Sequence, residues 1–462
     1  MKWIPSVGLF VIAHRLGGAQ AAELNYLAGT CPDTYDENED YFPDKAYPEY
    51  AETFTVEYFN SYKIVAESNT GKNYVLYQCG TDMPNITDIE VEEYISVPVT
   101  KVAVGYTTTV PRLELLGELE SVVAWTTDDS LLSSACLTEL ISTEETALAF
   151  YNDPNCSYIW STERINNTQL AALGVEVSFS GGELTDSCND TSTEDLLHAV
   201  ITQDYLETGG EYTALERAEW IKFFSYFYNQ EATANAKFGE IESLLMCTSG
   251  NAEACSLELE DVPSVAWVSY YYNKSYNAPS TEVYYDYAIT QAGGTMVTCD
   301  KTDLFYPDNQ MTSDEMVECF GDADVCVFAV DYTTVDDPDA LAQLKCVQNE
   351  RVYDNVLAGT NAWFEGSIAE PQVVLEDLVV ALHGDDFDYG LGDYERKLLR
   401  DVFTEDVGSG TFYNEGSCAD TSAERELTDT CIDVIDICPA GMVVPSLLAP
   451  LAAAVAAVAL LW

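Results

Sequence analysis

Residues 213–246 read TALERAEWIKFFSYFYNQEATANAKFGEIESLLM, and this stretch decides the fold. It opens with Thr213 and Glu216, the spacing of a capping box at a helix N-terminus. Its large apolar side chains then recur at helical spacing, at Trp220, Ile221, Phe224, Tyr228, Phe238, Ile241 and Leu245. Because each helical residue rises about 1.5 Å, some thirty of them reach roughly 50 Å, the length of two lobes. We therefore predict one long backbone helix over 213–247.

Short apolar strands alternate with helices on both sides of this helix. Before it, the sequence predicts strands over 102–105, 122–125, 158–160 and 175–179, with a capping box over 191–194. After it come strands over 265–270 and 325–330, helices over 280–292 and 371–383, and a capping box over 312–315. Such alternation is typical of α/β layers with largely parallel sheets. The predicted fold is α/β, with two α/β lobes joined by a long backbone helix and a ligand cleft between the lobes.

Both ends of the sequence carry targeting signals. Lys2 precedes an apolar run over 3–13, and Ala19-Gln20-Ala21 is a small-x-small cleavage pattern, as in a secretory signal peptide. Residues 440–462 carry no charge, which fits either a spanning helix or, as we favour, a lipid-anchor signal. We expect the protein on the extracellular face of the plasma membrane, or in an endomembrane lumen, anchored by its C-terminus.

These features divide the chain into seven predicted segments. They are a signal peptide over 1–22, an N-terminal extension with β-strands over 23–97, a first α/β lobe over 98–212, the backbone helix over 213–247, a second α/β lobe over 248–404, a stalk over 405–439 and a hydrophobic anchor signal over 440–462.

Cysteines and glycosylation motifs agree with a secretory route. Fourteen cysteines without a Cys-x-x-Cys pair favour disulfides over a zinc site. Near neighbours such as Cys247 with Cys255, or Cys431 with Cys438, offer pairings, although spacing alone does not fix the connectivity. Asn-x-Ser/Thr motifs predict glycosylation at Asn85, Asn155, Asn166, Asn189 and Asn273.

Charge and motifs exclude several classes of function. The chain has 79 acidic and 19 basic residues, a net charge of −60, and no basic stripe that could bind nucleic acid. We interpret the acidity as a solvated surface, with local accumulation of cations as the alternative. The sequence has no nucleophile elbow, no His-Glu-x-x-His pair, no phosphate loop and no dinucleotide fingerprint. With His198 and His383 the only histidines beyond the leader, we predict no enzyme, no resident cofactor and no metal site.

A series of short phrases occurs in order along the chain. They are FTVEY (54–58), YVLYQCG (74–80), VPVTKVA (97–103), PRLELLG (111–117), ERAEWIKFF (216–224), AGG (292–294), RVYD (351–354), WFE (363–365) and the Pro-x-x-x-Leu-x-Asp-Leu pattern in 371–383. Together they resemble the ABC-type substrate-binding proteins for iron-siderophore complexes and cobalamin. With its anchor signal, the chain is similar to cell-surface siderophore-binding proteins of microalgae. The resemblance implies the helical-backbone class of clamp, with an iron chelate held between two lobes. The stretch 152–167 departs from the bacterial pattern.

In such a clamp the ligand contacts loops at the carboxyl ends of strands. The predicted ligand-binding residues are Tyr106, Thr107, Thr108, Arg112, Tyr158 and Trp160 in the first lobe, and Trp267, Tyr270, Tyr272, Tyr332 and Trp363 in the second. Aromatic rings offer contact area to an apolar chelate, and arginine can pair with the negative oxygens around ferric iron. Each of these residues also has a purely structural alternative. Many of the aromatic side chains could pack in the hydrophobic core, Arg112 could be a surface residue, and Thr107 and Thr108 could cap the following helix.

The resemblance thus implies a protein that captures a ferric siderophore or a related small-molecule iron chelate for uptake. Two alternatives stay open at this point. One is a surface adhesion or wall glycoprotein, and the other is the same clamp holding heme, cobalamin or free ferric ion through tyrosine and aspartate oxygens. The sequence identifies no uptake or reductase partner and does not distinguish a hydroxamate from a catecholate.

Overall fold

The computed structural model describes residues 25–127, 131–143, 148–149, 167–180, 198–201, 213–256, 262–271, 274–279, 284–302, 308–384 and 394–408, with the single residues 425, 427 and 431. Predicted features over 1–22, 158–160, 191–194 and 440–462 lie outside the described residues. None of the helices in the described ranges is both long and apolar enough to cross a membrane.

The N-terminal extension forms a sheet of its own. Its strands are β1 (Phe54–Tyr58), β2 (Tyr62–Glu67), β3 (Lys72–Gln78) and β4 (Glu93–Val97). They lie in the order β1-β2-β3-β4, antiparallel except for the parallel pair β3-β4. A disulfide between Cys31 and Cys79 ties the preceding segment to the end of β3.

The first lobe is a parallel sheet. Its strands are β5 (Val102–Val104), β6 (Val122–Trp125), β7 (Leu148–Ala149), β8 (Val177–Ser180) and β9 (His198–Ile201), and its helices are α1 (Thr109–Leu116), α2 (Ala135–Thr143) and α3 (Asn167–Leu173). The strand order is β7-β6-β5-β8-β9, and every pair is parallel. The strands predicted over 102–105, 122–125 and 175–179 are confirmed within two residues.

The predicted backbone helix is three helices in the structure. They are α4 (Ala214–Ala218), α5 (Trp220–Tyr228) and α6 (Glu231–Ser256), and the predicted capping box of Thr213 and Glu216 is present. The chain leaves helical geometry at Asn229, whose φ of 57° is left-handed. The prediction of a long helix is confirmed by the 26 residues of α6, whereas the prediction that it runs unbroken from residue 213 is wrong. The end near residue 247 is wrong as well, because α6 continues to Ser256.

Helix α5 is buried on all sides because it lies between two sheets. Phe54 of the N-terminal sheet packs on Trp220 and Phe223, and Phe179 of the first lobe packs on Phe224 and Phe227. An amphipathic helix needs only one apolar stripe, whereas α5 is apolar except for Lys222 and Ser225, which fits a helix with no solvent-facing side.

The second lobe is a mixed sheet with helices. Its strands are β10 (Ser264–Tyr271), β11 (Ser275–Asn277), β12 (Thr295–Met296), β13 (Val325–Phe328), β14 (Val352–Asp354) and β15 (Arg400–Asp401). Its helices are α7 (Tyr284–Gln291), α8 (Ser313–Phe320), α9 (Pro338–Leu341), α10 (Lys345–Gln348), α11 (Ala362–Ala369) and α12 (Pro371–His383). The strand order is β11-β10-β13-β14-β15, and β12 also pairs with β10. The strands β12, β10, β13 and β14 run parallel to one another. The capping box at Thr312 and the helix from Pro371 to His383 are confirmed.

Disulfides join distant parts of the chain. Cys247 bonds Cys431, so the suggested pairs Cys247–Cys255 and Cys431–Cys438 are both wrong. Two further bridges, Cys299–Cys319 and Cys326–Cys346, lie within the second lobe. All ten cysteines in the described residues are disulfide-bonded, which indicates an oxidising compartment.

Candidate functional site

The first lobe places a polar loop at the carboxyl end of β5. Tyr106 and Thr107 are half-buried there, and Thr108 is buried at the N-cap position of α1. The hydroxyl of Thr108 makes no capping hydrogen bond. The alternative that Thr108 caps α1 through its side chain is therefore wrong, while the predicted position of the loop is confirmed.

Arg112 lies inside the protein and not at the mouth of the lobe. Its side chain is fully buried, and its guanidinium donates to the carbonyl of Thr108 at 2.7 Å and to that of Arg217 at 3.1 Å. The same group lies 5.8 Å from the centre of the Phe224 ring. Because these partners belong to α1, α4 and α5, Arg112 joins the helices beneath the site. This corrects both its placement at the mouth and the alternative of a surface residue.

The loop meets the second lobe through Glu365 of α11. The carboxyl group of Glu365 accepts hydrogen bonds from the side chain of Thr107, from the Ser133 amide at 3.0 Å and 3.2 Å, and from the Ser133 hydroxyl. Thr107 follows β5 and Ser133 precedes α2, so one side chain of the second lobe binds two segments of the first. We call these three residues the Glu365 junction.

The Glu365 junction lies in an environment that disfavours charge. Glu365 is 1% exposed, and burial raises its pKa to about 8 although the hydrogen bonds from Ser133 oppose the rise. The carboxylate of Glu114 on α1 adds to the rise. A carboxyl group with so perturbed a pKa is typical of functional sites, although structural networks produce it too.

A second acidic group lies beside this junction. The Ser134 hydroxyl donates to Glu114, and Arg425 lies 3.5 Å from the Glu114 carboxylate and donates to Glu370. Arg425 also donates its backbone amide to the carbonyl of Glu114 at 3.0 Å. Arg425 thus supplies a positive charge to buried carboxylates from both lobes. The chemistry that these groups offer is hydrogen bonding and ion pairing.

In the second lobe, the two predicted tryptophans lie together. The ring centres of Trp267 and Trp363 are 5.6 Å apart, and Tyr285 stacks on Trp267 at 4.5 Å. Both tryptophans are buried in the core shared by the lobes. Trp363 and Glu365 both belong to α11, so the aromatic group and the Glu365 junction share this helix.

Tyr270 and Tyr332 occupy the other face of the second sheet. Tyr270 is buried against Tyr276, with ring centres 5.1 Å apart, and Tyr332 packs on Phe328 at 5.1 Å. Tyr332 is half-buried at the carboxyl end of β13, where we expected a ligand contact. The neighbouring Tyr271 is 41% exposed, as strand alternation requires.

The carboxyl ends of β13 and β14 carry an ion pair that the sequence did not suggest. Arg400 of β15 donates to Asp354 at 3.0 Å and to Asp331 at 3.1 Å. Asp354 in turn accepts the Tyr332 amide at 2.9 Å. This pairing fixes the backbone beneath the Tyr332 ring and neutralises part of the acidic charge at this edge.

Several predicted residues cannot be placed. Tyr158, Trp160 and Tyr272, and the glycosylation motifs at Asn155, Asn166, Asn189 and Asn273, lie outside the described residues. Asn85 lies in the loop between β3 and β4, and its glycosylation stays a prediction. Among the described residues, no three His, Cys, Asp or Glu side chains form a group that could hold a metal ion.

Neither a protein-family model nor a curated protein matches this sequence. Solved structures with a similar fold include a periplasmic binding protein from Veillonella parvula DSM 2008, with 13% identity, a TM-score of 0.44, and coverage of 62% of this chain and 85% of that one. Another is the siderophore binding protein BauB, solved with two molecules of acinetobactin and ferric iron. It has 12% identity and a TM-score of 0.44, and the match covers 62% of this chain and 93% of that one. A third is an ABC-type Fe³⁺-hydroxamate transport system from Saccharomonospora viridis DSM 43017. It has 17% identity and a TM-score of 0.43, and the match covers 62% of this chain and 94% of that one. All three are similar to this chain in fold and distant from it in sequence.

Proposed function

We propose that this chain is a cell-surface binding protein that captures a ferric siderophore or a related iron chelate for uptake. It acts as a clamp with the ligand between its two α/β lobes, as the sequence resemblance implies. It is a binding protein and not an enzyme, has no cofactor of its own, and is held at the membrane by its C-terminus.

The observation that carries the proposal is a contact between the two lobes that involves Thr107, one of the predicted ligand-binding residues. The loop after β5 in the first lobe contacts α11 of the second lobe through Thr107 and Glu365. The aromatic group of Trp267, Trp363 and Tyr285 includes a residue of α11 itself, Trp363. Ligands of α/β folds bind beyond the carboxyl ends of strands, which is where the loop lies.

The chemistry around these residues favours a bulky ligand over a bare ion. Aromatic rings provide large apolar area, and the nearby polar groups are hydroxyls, amides and carboxyls that can bond the edge of a chelate. A bare ferric ion instead needs several hard oxygen ligands around one point. We therefore place the iron chelate ahead of free ferric ion.

A ligand titration of the full-length protein tests the proposal. Ferric hydroxamate, ferric catecholate, ferric citrate, heme and the iron-free chelators are added in turn while tryptophan fluorescence is recorded. We expect saturable quenching by an iron complex and none by its iron-free chelator, because Trp267 and Trp363 lie beside the proposed site. Substituting them with alanine would open cavities that cost about 3–5 kcal/mol in stability, so other residues serve better as probes.

Tyr332→Ala is the informative variant, with Tyr287→Ala as its control. Tyr332 is half-buried at the carboxyl end of β13, whereas Tyr287 is 44% exposed on α7 away from the predicted contacts. Loss of a ring that contacts ligand should raise Kd about tenfold, which corresponds to about 1.4 kcal/mol. A folded protein that responds to none of these compounds would contradict the iron-chelate proposal and favour the adhesion glycoprotein.

A further inference from the structure

The Glu365 junction is a polar contact between the lobes that is closed off from solvent. Glu365 is 1% exposed and Ser133 is 2% exposed, so water does not compete for their hydrogen bonds. The Ser133 amide and hydroxyl belong to the first lobe, and the carboxyl group belongs to α11. Breaking this contact would separate the start of α2 from the second lobe.

The ionisable groups around Glu365 come from the elements packed against α11. These elements are α1, α4, α7 and α12, and the Arg425–Glu370 ion pair lies at the C-terminal end of α11. The charged or titratable residues of the four helices are Arg112, Glu114, Glu216, Arg217, Tyr284, Tyr285, Asp286, Tyr287, Glu376, Asp377 and His383. Arg112 holds the Thr108 and Arg217 carbonyls, and Asp377 holds the amides of 397–399. Glu114 is the neighbour whose charge acts on Glu365, and its own partners are Ser134 and Arg425. No cation in the described part of the chain forms a salt bridge with Glu365.

We propose that Glu365 is a proton-controlled latch between the two lobes. When its carboxyl group carries a proton, it stays buried and holds Thr107 and Ser133. When the proton leaves to solvent, the buried negative charge of Glu365 lies near the Glu114 carboxylate without a salt bridge of its own among the described residues, and the junction opens. The latch concerns the protein without ligand, so it does not depend on the identity of the captured compound.

The direction of the pH effect follows from the two states of Glu365. In the closed junction its pKa is raised to about 8, and in the open junction the pKa returns toward its ordinary value of 4.5. The closed state therefore binds the extra proton between these two values, and closure weakens as pH rises through that window. Below the window both states are protonated, and above it both are ionised. The ratio of closed to open molecules should fall on the order of several hundredfold between about pH 5 and about pH 9.

The Ser133 amide reports on the latch directly, because it donates to Glu365. Hydrogen–deuterium exchange of the full-length protein without ligand, followed by mass spectrometry at a series of pH values, gives its protection after correction for the intrinsic exchange rate. We expect protection to fall by up to roughly several hundredfold from about pH 5 to about pH 9. In Glu365→Gln, which cannot ionise, protection should stay constant over that range.

Two further variants separate a latch from an ordinary packing contact. The hydrogen bond from the Ser133 side chain lowers the pKa of Glu365 in the closed junction. Ser133→Ala should therefore widen the difference between the closed and open pKa values and enlarge the fall in protection between about pH 5 and about pH 9. Glu118→Gln is the matched control, because burial raises the pKa of Glu118 to about 7 but its partner Gln230 does not belong to α11. This control should leave the pH profile of Ser133 unchanged.

The proposal is overturned if Ser133 protection does not change with pH in the natural protein, or if Glu365→Gln follows the same profile. A fall in protection that is no larger in Ser133→Ala than in the natural protein would also overturn it, and this result remains available if Glu365→Gln fails to fold. Since no ligand is present, these outcomes leave the iron-chelate proposal standing. A failed ligand titration likewise leaves the latch to be judged by exchange alone.

Discussion

Lys63→Met should lower the free energy of unfolding by about 3–5 kcal/mol, since it leaves a buried carboxylate without its cation. The side chains of Lys63 and Glu231 are both fully buried and form a salt bridge between β2 and the start of α6. Lys63 also donates to Asn229 at 3.0 Å and lies 4.7 Å from the centre of the Phe42 ring. Burial lowers the pKa of Lys63, and Glu231 opposes this effect. After the substitution, Glu231 keeps only neutral partners such as Asn25 at 2.8 Å.

Two comparisons isolate the buried charge as the cause. In the double variant Lys63→Met with Glu231→Gln no lone charge remains, so most of the lost stability should return. Lys72→Met breaks a more exposed pair with Glu92 on the same sheet and should cost at most about 1 kcal/mol. Denaturant unfolding followed by circular dichroism measures these three variants and the single variant Glu231→Gln. A double variant as unstable as the sum of its single changes would show that the pair acts through packing and not through charge.

The break in the backbone helix shows where periodicity fails as a predictor. The apolar spacing continues across residue 229, so the sequence predicts one helix. In the structure Asn229 adopts left-handed geometry, which asparagine tolerates, and its side chain bonds Lys63, Gln78 and the Tyr26 carbonyl. These partners lie 166, 151 and 203 residues away in the sequence. Helical periodicity records local spacing and carries no information on such partners.

The phrases behind the family resemblance mostly hold structural contacts. Gly294 lies where a side chain would come within 2.7 Å of Leu382 on α12, and Gly293 has a left-handed φ of 76°. The His383 ring bonds the Ala292 carbonyl at 2.8 Å, and Arg351 donates to the Leu382 carbonyl at 2.6 Å. Three separate phrases thus meet at the end of α12. They predicted the fold well because they fix the packing of α7, β14 and α12.

The site was harder to predict than the fold. Strand ends place the loop at 106–108 correctly, since the carboxyl edge of a parallel sheet follows from the order of elements. Arg112 was wrongly placed at the mouth of the first lobe because a basic residue in a short helix is normally exposed. In the structure it is buried by donating to two carbonyls from different helices, and local sequence does not show that these carbonyls lie together. Glu365 was missed as a site residue because it is one of 79 acidic residues. Its contact with Ser133 joins positions 232 residues apart.

Asp377→Ala should lower the free energy of unfolding by about 3–5 kcal/mol, because several donors would lose one shared acceptor. Asp377 is the acidic residue of the Pro-x-x-x-Leu-x-Asp-Leu pattern, and it is fully buried on α12. Its carboxyl oxygens accept the Leu398 amide at 2.7 Å, the Leu399 amide at 2.6 Å and the Tyr394 hydroxyl at 2.6 Å. These bonds hold the segment that leads into β15, and Leu398 and Leu399 are fully buried beside them.

Asp377→Asn and Glu395→Ala test this explanation from two sides. Asparagine keeps one acceptor oxygen, so Asp377→Asn should cost less than Asp377→Ala but more than about 1 kcal/mol. Glu395 is exposed in the same segment, so Glu395→Ala should change stability by less than about 0.5 kcal/mol. Amide exchange of Leu398 and Leu399 should rise in both Asp377 variants and stay slow in Glu395→Ala. Equal stability losses for Asp377→Ala and Glu395→Ala would mean that the segment is held by its leucine side chains, with Asp377 contributing little.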